Sequence, residues 1–501
     1  MRKIAVAFTL LLVAVTTSAQ NDVGEVSFAN SGAPAAQESF ARGLALLHNF
    51  EYPYAAEAFR KAQELDPSFA MAYWGEAITY THPVWMQQNA EAARATLLRL
   101  GATSAERAAK APTERERAYL ATLDVLYGDG SKEERDFRYA DAMAALHARF
   151  PDDVDATAFY ALALLGTAHE GRDYATYMRA AALLEEVFPS HLHHPGVLHY
   201  LIHCYDDPTH APLGMRAARL YGPVAPNAGH ALHMTSHIFL AMGMWEDVVA
   251  ANRRAIDVVN QQRAARSKPG ANCGHYPEWL HYAYLQQNRF DEATKVLAAC
   301  RASAFAEPFV PAGPIDSQHA QVASYATMRA QQLAGGASFA AADAVTAPPG
   351  AAFDEARFTL AYGDLLAASR KGDAAAAKSA ADRMHALQHY DAHAGMPHEM
   401  AMTAADHARI EVMVQEADTL VLLANGKRAE ALALLQTAAT KELALPVEFG
   451  PPAIPKPAQE LLADQLLAAS RPADAAAAYR LALTRTPGRS VTLAGLRQAG
   501  K

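Results

Sequence analysis

Four histidines recur along this chain at the spacing of a two-helix repeat. His199 and His203 are followed by His233 and His237, each 34 residues further on, and 34 residues is the length of a repeating helical hairpin. A separation of four places both members of a pair on one face of a helix, and a shift of one unit places the two pairs on equivalent faces of neighbouring helices. The spacing therefore predicts that four imidazole rings converge.

Apolar residues near both ends of the chain match the tetratricopeptide (TPR) pattern of small and large side chains. With Pro67 at position 32 of a unit, the expected offsets are occupied by Gly43, Leu46, Ala55, Phe59 and Ala62. A second match near the C-terminus consists of Ala463, Ala475, Tyr479, Ala482 and Pro487. Less regular units begin at Pro195, Gly229 and Gly274, and alternating apolar and polar runs are missing. We therefore predict an all-α, TPR-like helical-hairpin superhelix, an α-solenoid.

The first residues have the pattern of a secretory signal: a basic start, an apolar run over 4–15 and small residues before Gln20. We expect secretion across the inner membrane into the periplasm or the medium. Loop-forming stretches rich in glycine and proline divide the remainder. The predicted segments are a signal peptide at 1–19, a flexible mature N-terminus at 20–34, an N-terminal superhelix at 35–305, a linker-rich connection at 306–352 and C-terminal helical repeats at 353–501.

Composition narrows the classes of function. The net charge of −9 provides no basic surface for phosphates, so we expect no nucleic-acid partner. After the signal, no apolar run reaches the roughly 20 residues of a transmembrane helix. Cys273 and Cys300 fall at adjoining ends of one predicted hairpin, so an oxidising compartment could join them, and Cys204 is expected to be a buried small apolar residue.

Imidazole and carboxylate groups line one predicted surface of the superhelix. In a TPR array, positions 2, 5, 9, 12 and 13 of each unit project from the first helix into the concave groove. The four repeated histidines occupy positions 5 and 9 of their units. Further groove positions, predicted to be accessory ligands or groove residues, are held by His230, His275, Glu278, Asp206, His82 and Tyr282.

Metal coordination is the leading interpretation of this pattern. Neighbouring helices lie about 8 to 10 Å apart, and a metal–imidazole bond is about 2.0 to 2.1 Å, so histidines from adjacent helices can share an ion. We predict a divalent transition metal, either zinc, copper, nickel or iron, bound through His199, His203, His233 and His237. Whether one ion or two would bind is open. The alternatives are a histidine-rich groove that binds a peptide or protein partner without metal, and structural packing.

Enzymatic activity is left open by the sequence. An ion with a free coordination position would activate water, with Glu278 or Asp206 as general base, for hydrolysis or oxidation. The sequence contains no phosphate-binding loop, no CxxC pair, no haem-attachment motif and no nucleophile elbow. In the loop before Pro195, His191 and His193 are expected to be solvated, whereas His194 could cap the following helix or join the site.

Several longer motifs occur together: AYWGEA with THP from residue 72, HPGVLHYLIH from residue 194, HALHMTSHIF from residue 230, and FGPP from residue 449. As a set they resemble a family of exported bacterial TPR proteins over most of the mature chain. The resemblance implies a TPR fold and export, and it implies no reaction. At the third unit the family pattern HxPHN has a second histidine, where this chain has Glu278.

Overall fold

The computed structural model describes residues 22–312, 316–335, 345–392 and 402–500. The predicted signal peptide at 1–19 lies outside the described residues. The described residues form helices almost throughout, with one antiparallel pair of two-residue strands, β1 (Thr81–His82) and β2 (Gln87–Gln88). Among these described helices, none combines the length and the apolar character that a membrane crossing requires.

The N-terminal helices are α1 (Gln37–His48), α2 (Tyr52–Leu65), α3 (Ala70–Ile78), α4 (Ala90–Leu100), α5 (Ser104–Ala109), α6 (Glu114–Leu126), α7 (Lys132–Arg149), α8 (Val154–Leu165), α9 (Tyr174–Val187), α10 (Pro195–Tyr205), α11 (Ala211–Val224), α12 (Gly229–Ala241), α13 (Trp245–Ala264), α14 (His275–Gln286) and α15 (Phe290–Ala304). The remaining helices are α16 (Gln318–Ala334), α17 (Asp354–Lys371), α18 (Ala374–Leu387), α19 (Ala404–Ala424), α20 (Arg428–Ala444), α21 (Ala458–Ala468), α22 (Pro472–Arg485) and α23 (Ser490–Ala499).

The helices are arranged as stacked antiparallel hairpins. Each helix packs against the next one in the chain, and the first helices of successive hairpins also touch, as in α8 with α10, α10 with α12 and α14 with α16. Contacts between nearest neighbours along the stack are the defining feature of a solenoid. The predicted all-α, TPR-like helical-hairpin superhelix is confirmed.

The first repeat shows why the small and large offsets are needed. Phe59 of α2 is fully buried between α1 and α3. A Cβ added to Gly43 would lie 2.9 Å from the Phe59 ring, and one added to Gly75 would lie 2.3 Å from it. The close approach of α1 and α3 to the Phe59 ring therefore requires glycine at both positions.

The segment at 22–34 differs from the flexible N-terminus that the sequence predicts. Val23 is fully buried and Phe28 is nearly so. The backbone N–H of Glu25 donates to the carbonyl oxygen of His193 at 3.0 Å, and Asn49 Nδ2 donates to the carbonyl oxygen of Val23 at 2.7 Å. The segment is held because its apolar side chains enter the core of the first hairpins and its backbone groups find partners there.

The linker-rich connection predicted at 306–352 contains a packed helix. α16 contributes Val322, Tyr325 and Met328 to an apolar cluster that also includes residues of α15 and α17. The hairpin stack therefore continues through this region, since an apolar face of α16 is buried on both neighbours. Its glycine- and proline-rich flanks at 306–316 and 335–352 include residues outside the described part.

The C-terminal helices return to the N-terminal ones. Arg489 donates to the Tyr282 hydroxyl of α14 at 3.3 Å, and the Trp245 indole of α13 donates to the carbonyl oxygen of Gly488 at 3.1 Å. Between α20 and α21, the proline-rich segment 445–457, here called the strap, crosses α14. Gly450 in the strap has φ +97°, and an added Cβ would lie 2.6 Å from Trp279. Glycine is required for this contact.

Cys273 and Cys300 form a disulfide that ties the start of α14 to α15, and Cys204 is free and buried. The bond closes a loop with a sequence separation of 27. Loop-closure entropy for a loop of that length predicts a stabilisation of about 3 to 4 kcal/mol. We expect Cys273→Ser with Cys300→Ser to lower the free energy of unfolding by about that amount in urea denaturation, and Cys204→Ser to leave the bond intact. An unchanged urea midpoint after removal of both cysteines, or three free thiols instead of one in the unreduced, denatured wild type, would contradict the assignment.

Candidate metal centre

Three buried imidazoles from α10 and α12 form the first histidine group: His199, His203 and His230. One ring nitrogen of each lies within 4.8 Å of those of the other two. The Nε2 atoms of all three are buried and have no hydrogen-bond partner among the described residues. Leaving a buried polar atom unpaired costs about 1 to 3 kcal/mol. Three such atoms on three adjoining imidazoles are therefore the strongest sign of a cation site in the described molecule.

The protonation of His199 is set by its backbone partner. Its Nδ1 lies 2.6 Å from the carbonyl oxygen of His48, which can only accept a hydrogen bond. A neutral imidazole has one N–H, so this contact places the proton on Nδ1 and leaves a lone pair on Nε2. Such a hydrogen bond from the far ring nitrogen is the usual support of a metal-ligating histidine.

The second histidine group contains His233 and His237 of α12 and His275 at the start of α14. Nδ1 of His233 lies 2.7 Å from Oδ1 of Asn252, whose Nδ2 donates to the carbonyl oxygen of Val248 at 2.9 Å. Asn252 Oδ1 is therefore an acceptor, and His233 has its proton on Nδ1. Nδ1 of His237 donates in the same way to Oδ2 of Asp206 at 2.9 Å.

This arrangement leaves two nitrogen lone pairs facing each other. Nε2 of His233 and Nε2 of His237 are 3.2 Å apart. Two lone pairs at that distance repel unless a proton or a metal cation lies between them. A tetrahedral ion with bonds of about 2.0 to 2.1 Å places its donor atoms roughly 3.3 to 3.4 Å apart. The separation of the two imidazoles is therefore close to that of two ligands on one ion.

Asp206 connects the two groups. Its Oδ2 also lies 3.4 Å from Nδ1 of His203, so one carboxylate orients a ring in each group. Arg172 pairs with the other oxygen of Asp206 and lies 3.5 Å from Asp207. Burial opposes ionisation of Asp206, but Arg172 and the two imidazoles hold the pKa of its carboxyl below the ordinary value. Asp206 is therefore a charged hydrogen-bond acceptor. It keeps the proton of the neighbouring imidazoles on Nδ1, which leaves the lone pair on their Nε2 atoms for an ion.

The electrostatic setting favours neutral rings. Burial, together with neighbouring imidazoles, lowers the pKa of His199, His230 and His233 well below the ordinary value. Burial also lowers the pKa of His237 to about 4, although Asp206 opposes the shift. Neutral imidazole is the form that binds a metal. These side chains are therefore in the ligating state at neutral pH without any proton being removed.

Aromatic rings enclose the two groups, which together we call the histidine chamber. The Phe50 ring lies 4.2 Å from that of His199, and the Trp279 ring lies 4.4 Å from that of His237. Phe449 of the strap stacks on His237 at 5.1 Å between ring centroids. His275 is the exposed member of the chamber, so the second group adjoins solvent.

The predicted site residues divide into those inside the chamber and those outside it. The four repeated histidines converge, but they belong to two groups of three, which His230 and His275 complete. Glu278 faces Ser324 and Glu355 instead, where burial and the second carboxyl raise its pKa to about 8. The expectation that Glu278 is a groove ligand or base is therefore not met, because its side of α14 packs towards α16 and α17.

Tyr282 and His82 also lie apart from the histidine groups. Tyr282 is seven residues beyond His275, about 10 Å along the helix axis, and it accepts a hydrogen bond from Arg489. His82 belongs to β1 and stacks on Tyr52 at 4.0 Å, while its ring nitrogens contact Gln87 and the carbonyl oxygen of Thr79. Asp206, predicted as an accessory ligand, has a carboxylate oxygen within 4.8 Å of a ring nitrogen of His203 and of His237, and these three residues form a further group of potential ligands. Its pairing with Arg172 makes it a poor general base.

His194 caps α10, which is one of the two roles that the sequence leaves open for it, but sequence reasoning missed the buried network that it forms with His48 and Asp155. Asp155 Oδ1 lies 2.9 Å from Nε2 of His48 and 3.3 Å from Nε2 of His194. Nδ1 of His48 lies 3.0 Å from the Tyr200 hydroxyl oxygen. Nδ1 of His194 accepts a hydrogen bond from the backbone N–H of Val197 at 3.3 Å, so His194 is the N-cap of α10. All four ring nitrogens are engaged, so this network positions the His48 carbonyl behind His199. No repeat spacing links these residues in the sequence.

The stability of the metal-free protein is expected to fall as the pH drops from about 6.5 to 4. Burial lowers the pKa of His48 to about 4, despite the hydrogen bond that His48 donates to Asp155, and histidine in the unfolded chain titrates near 6.5. Below pH 6.5 the His48 ring therefore binds a proton in the unfolded state and stays neutral in the folded state. This difference lowers the free energy of unfolding by up to about 3 kcal/mol for His48 alone. The two histidines also hold the pKa of Asp155 low, which acts in the same direction.

Urea unfolding of the metal-free protein between pH 7.5 and 4 measures this dependence. The prediction is a steady fall in the free energy of unfolding, with a smaller slope in His48→Gln. A free energy that is flat or that rises on acidification would contradict the buried neutral histidines.

Comparison with known proteins adds little to this geometry. No protein-family profile matches the sequence, and no curated protein matches it significantly. Among solved structures, the Cut9 chain of the APC/C Cut9–Hcn1 complex is 11% identical over 95% of this chain and 78% of its own, with a TM-score of 0.37. Yeast Tom70 is 11% identical over 93% and 95%, with a TM-score of 0.34. The P58(IPK) TPR domain is 12% identical over 93% and 97%, with a TM-score of 0.23. At these scores the fold assignment rests on the stacked hairpins themselves.

Proposed function

We propose that this protein binds a transition metal in the histidine chamber. One observation carries the proposal: His199, His203 and His230 each have a ring nitrogen within 4.8 Å of those of the other two, and the Nε2 atom of each is buried without a hydrogen-bond partner among the described residues. Imidazole donors suit zinc, copper, nickel and iron, and the described groups include no thiolate. Hydrogen bonds at Nδ1 of His199, His233 and His237 already orient these rings for an ion.

The alternative function, a scaffold that binds a peptide in the same groove, is less compatible with the packing. His199, His203 and His237 are at most 2% exposed. Phe449 and Trp279 cover His237. A peptide could contact these imidazoles only after displacing the strap, whereas a metal ion needs no such opening. Binding of a protein partner elsewhere on the solenoid is compatible with this proposal.

We also propose that the mature protein acts outside the cytoplasm. The support is the signal pattern at 1–19 and the pairing of Cys273 with Cys300, since disulfides persist in oxidising compartments. Mass spectrometry of protein from fractionated cells tests the proposal. A mature N-terminus at or near Gln20 in the exported fraction supports it, and a full-length chain confined to the cytoplasm contradicts it.

Metal content tests the main proposal. We expect the mature protein, purified without chelator, to retain close to a whole number of transition-metal ions per chain in elemental analysis. His199→Ala combined with His233→Ala, which removes one ligand from each group, should lose nearly all of this metal. His193→Ala is the matched control, because that side chain is 63% exposed and lies outside both groups. A wild-type protein that contains no metal after purification and takes up none during dialysis against transition-metal salts would contradict the proposal.

A further inference from the structure

The six imidazoles of the chamber form two ligand sets that a single ion cannot join. The donor atoms of each group of three lie within 4.8 Å of one another, and no set of four histidine, cysteine, aspartate or glutamate residues in the described part of the chain meets that limit. All donor atoms on one ion lie within about 4.2 Å of one another, which is twice the metal–nitrogen bond. The chamber therefore offers three imidazoles to an ion in the first group and three to an ion in the second.

The unsatisfied ring nitrogens also exceed the ligands that one tetrahedral ion takes. The Nε2 atoms of His199, His203 and His230 have no hydrogen-bond partner within the described ranges. Those of His233 and His237 face each other, and both of these rings have their proton on Nδ1. A tetrahedral ion has four positions, so it leaves at least one of these five nitrogens unsatisfied. Two ions satisfy all of them.

A third possible ligand set, formed by His203, Asp206 and His237, takes one ring from each group. Asp206 Oδ2 approaches both rings at Nδ1, at 3.4 Å for His203 and at 2.9 Å for His237. Both nitrogens donate to the carboxylate, so an ion at this place would have to displace their protons. The Nε2 atoms stay available to the two groups, and Asp206 connects the two sites from behind the rings.

The two groups differ in their access to solvent. In the first group, the three side chains are at most 5% exposed, and the Phe50 ring lies 4.2 to 5.7 Å from each of their rings. In the second group, His275 is exposed, and its ring lies 4.5 Å from that of His233. The second group therefore borders solvent, whereas the first is enclosed.

Imidazoles connect the enclosed group to the one that borders solvent. The ring centroids of His230 and His233 are 5.9 Å apart, and those of His203 and His237 are 5.6 Å apart. Two imidazoles bound to one tetrahedral ion have their centroids roughly 5.2 Å apart, so an ion that moves between the groups can bind a ring of each on the way. The route past Phe50 is apolar, and an ion there would lose its ligands without gaining others.

We propose that the chamber binds two transition-metal ions, one in each histidine group, and that the ion of the first group enters and leaves through the second group. This inference rests on the proposed function, because it adds the number of ions and the order in which they bind. The second group is the exchangeable site, and the first group is the retaining site. His275, as the exposed ligand, is the point of entry.

Zinc loading tests the number of ions. Metal-free protein is dialysed against excess Zn(II), desalted and analysed for zinc and protein. We expect two ions per wild-type chain, and one in each of His230→Gln and His275→Gln, which disable the first and the second group respectively. His193→Gln, at a position that is 63% exposed, should keep two.

The zinc content of the wild type is decisive by itself, so misfolding of one variant does not remove the test. One ion per wild-type chain would overturn the pair and leave the proposed function standing. A chain that retains none of zinc, copper, nickel and iron would overturn both. Two ions in both His230→Gln and His275→Gln would overturn the assignment of the ions to these groups.

Transfer of zinc from the loaded protein to a coloured chelator tests the order. Release from the wild type should occur in two phases of equal amplitude, with the fast phase from the second group, and His230→Gln should keep only the fast phase. In His275→Gln the remaining ion should leave several-fold more slowly than in the slow phase of the wild type, because its route has lost the exposed ligand. Release of both ions in one phase, or an unchanged slow phase in His275→Gln, would overturn the order and leave the pair standing.

Discussion

Asp206→Asn is expected to weaken metal binding by about 10- to 100-fold, the usual effect of losing a partner that supports metal-ligating histidines. Asp206 Oδ2 accepts from Nδ1 of His237 and lies near Nδ1 of His203, so the substitution disturbs one ring in each group. It also leaves the buried Arg172 with less compensation, for which we expect a loss of about 3 to 5 kcal/mol in the free energy of unfolding. Metal titration and urea unfolding of the same variant measure the two effects.

Asp207→Asn is the matched control for this variant. Asp207 is fully buried and lies beside Arg172, but its main contact is His210 Nδ1 at 2.8 Å, outside both histidine groups. It should therefore lose stability while keeping metal affinity within a few-fold of the wild type. Equal loss of affinity in both variants would show that general destabilisation explains the effect, and the role assigned to Asp206 would be wrong.

Arg489→Met is expected to destabilise the protein by about 3 to 5 kcal/mol, because it leaves the buried Glu460 with one fewer partner. Arg489 Nε donates to Glu460 at 2.8 Å and Nη2 donates to the strap carbonyl of Pro455 at 3.0 Å, and both side chains are almost fully buried. Loss of these bonds should also loosen the strap that places Phe449 on His237. We therefore expect faster dissociation of metal from the variant, measured by transfer to a coloured chelator.

Arg471→Met serves as the control for the loss of an ion pair. Arg471 pairs with Asp474 at 2.7 Å, but both side chains are more than half exposed. An exposed pair of this kind contributes at most about 1 kcal/mol. If Arg489→Met unfolds at the same urea concentration as Arg471→Met, the buried pair does not hold the C-terminal helices and the strap in place.

The part of the site that sequence reasoning anticipates is the part that repeats. His199, His203, His233 and His237 follow the 34-residue period, and stacking of equivalent helices brings them together. The closeness of Gly43 to Phe59 likewise follows from fixed offsets within one unit. These features are local or periodic, so one sequence contains enough information to predict them.

The remaining features of the site depend on contacts between distant parts of the chain. The carbonyl of His48 meets His199 across 151 positions, and Phe449 reaches His237 from the strap. No spacing rule predicts such pairs. The prediction that Glu278 lines the groove is wrong for a related reason. Its position in the repeat unit faces the groove only if that side of α14 is open, whereas α16 packs there.

Anomalous X-ray diffraction from crystals of the metal-loaded protein, at wavelengths on either side of the metal absorption edge, tests the histidine chamber most directly. We expect strong difference peaks about 2.0 to 2.1 Å from the Nε2 atoms of His199, His203 and His230 and from those of His233 and His237. Peaks confined to surface histidines such as His193, with the chamber nitrogens bonded only to water or to each other, would contradict it.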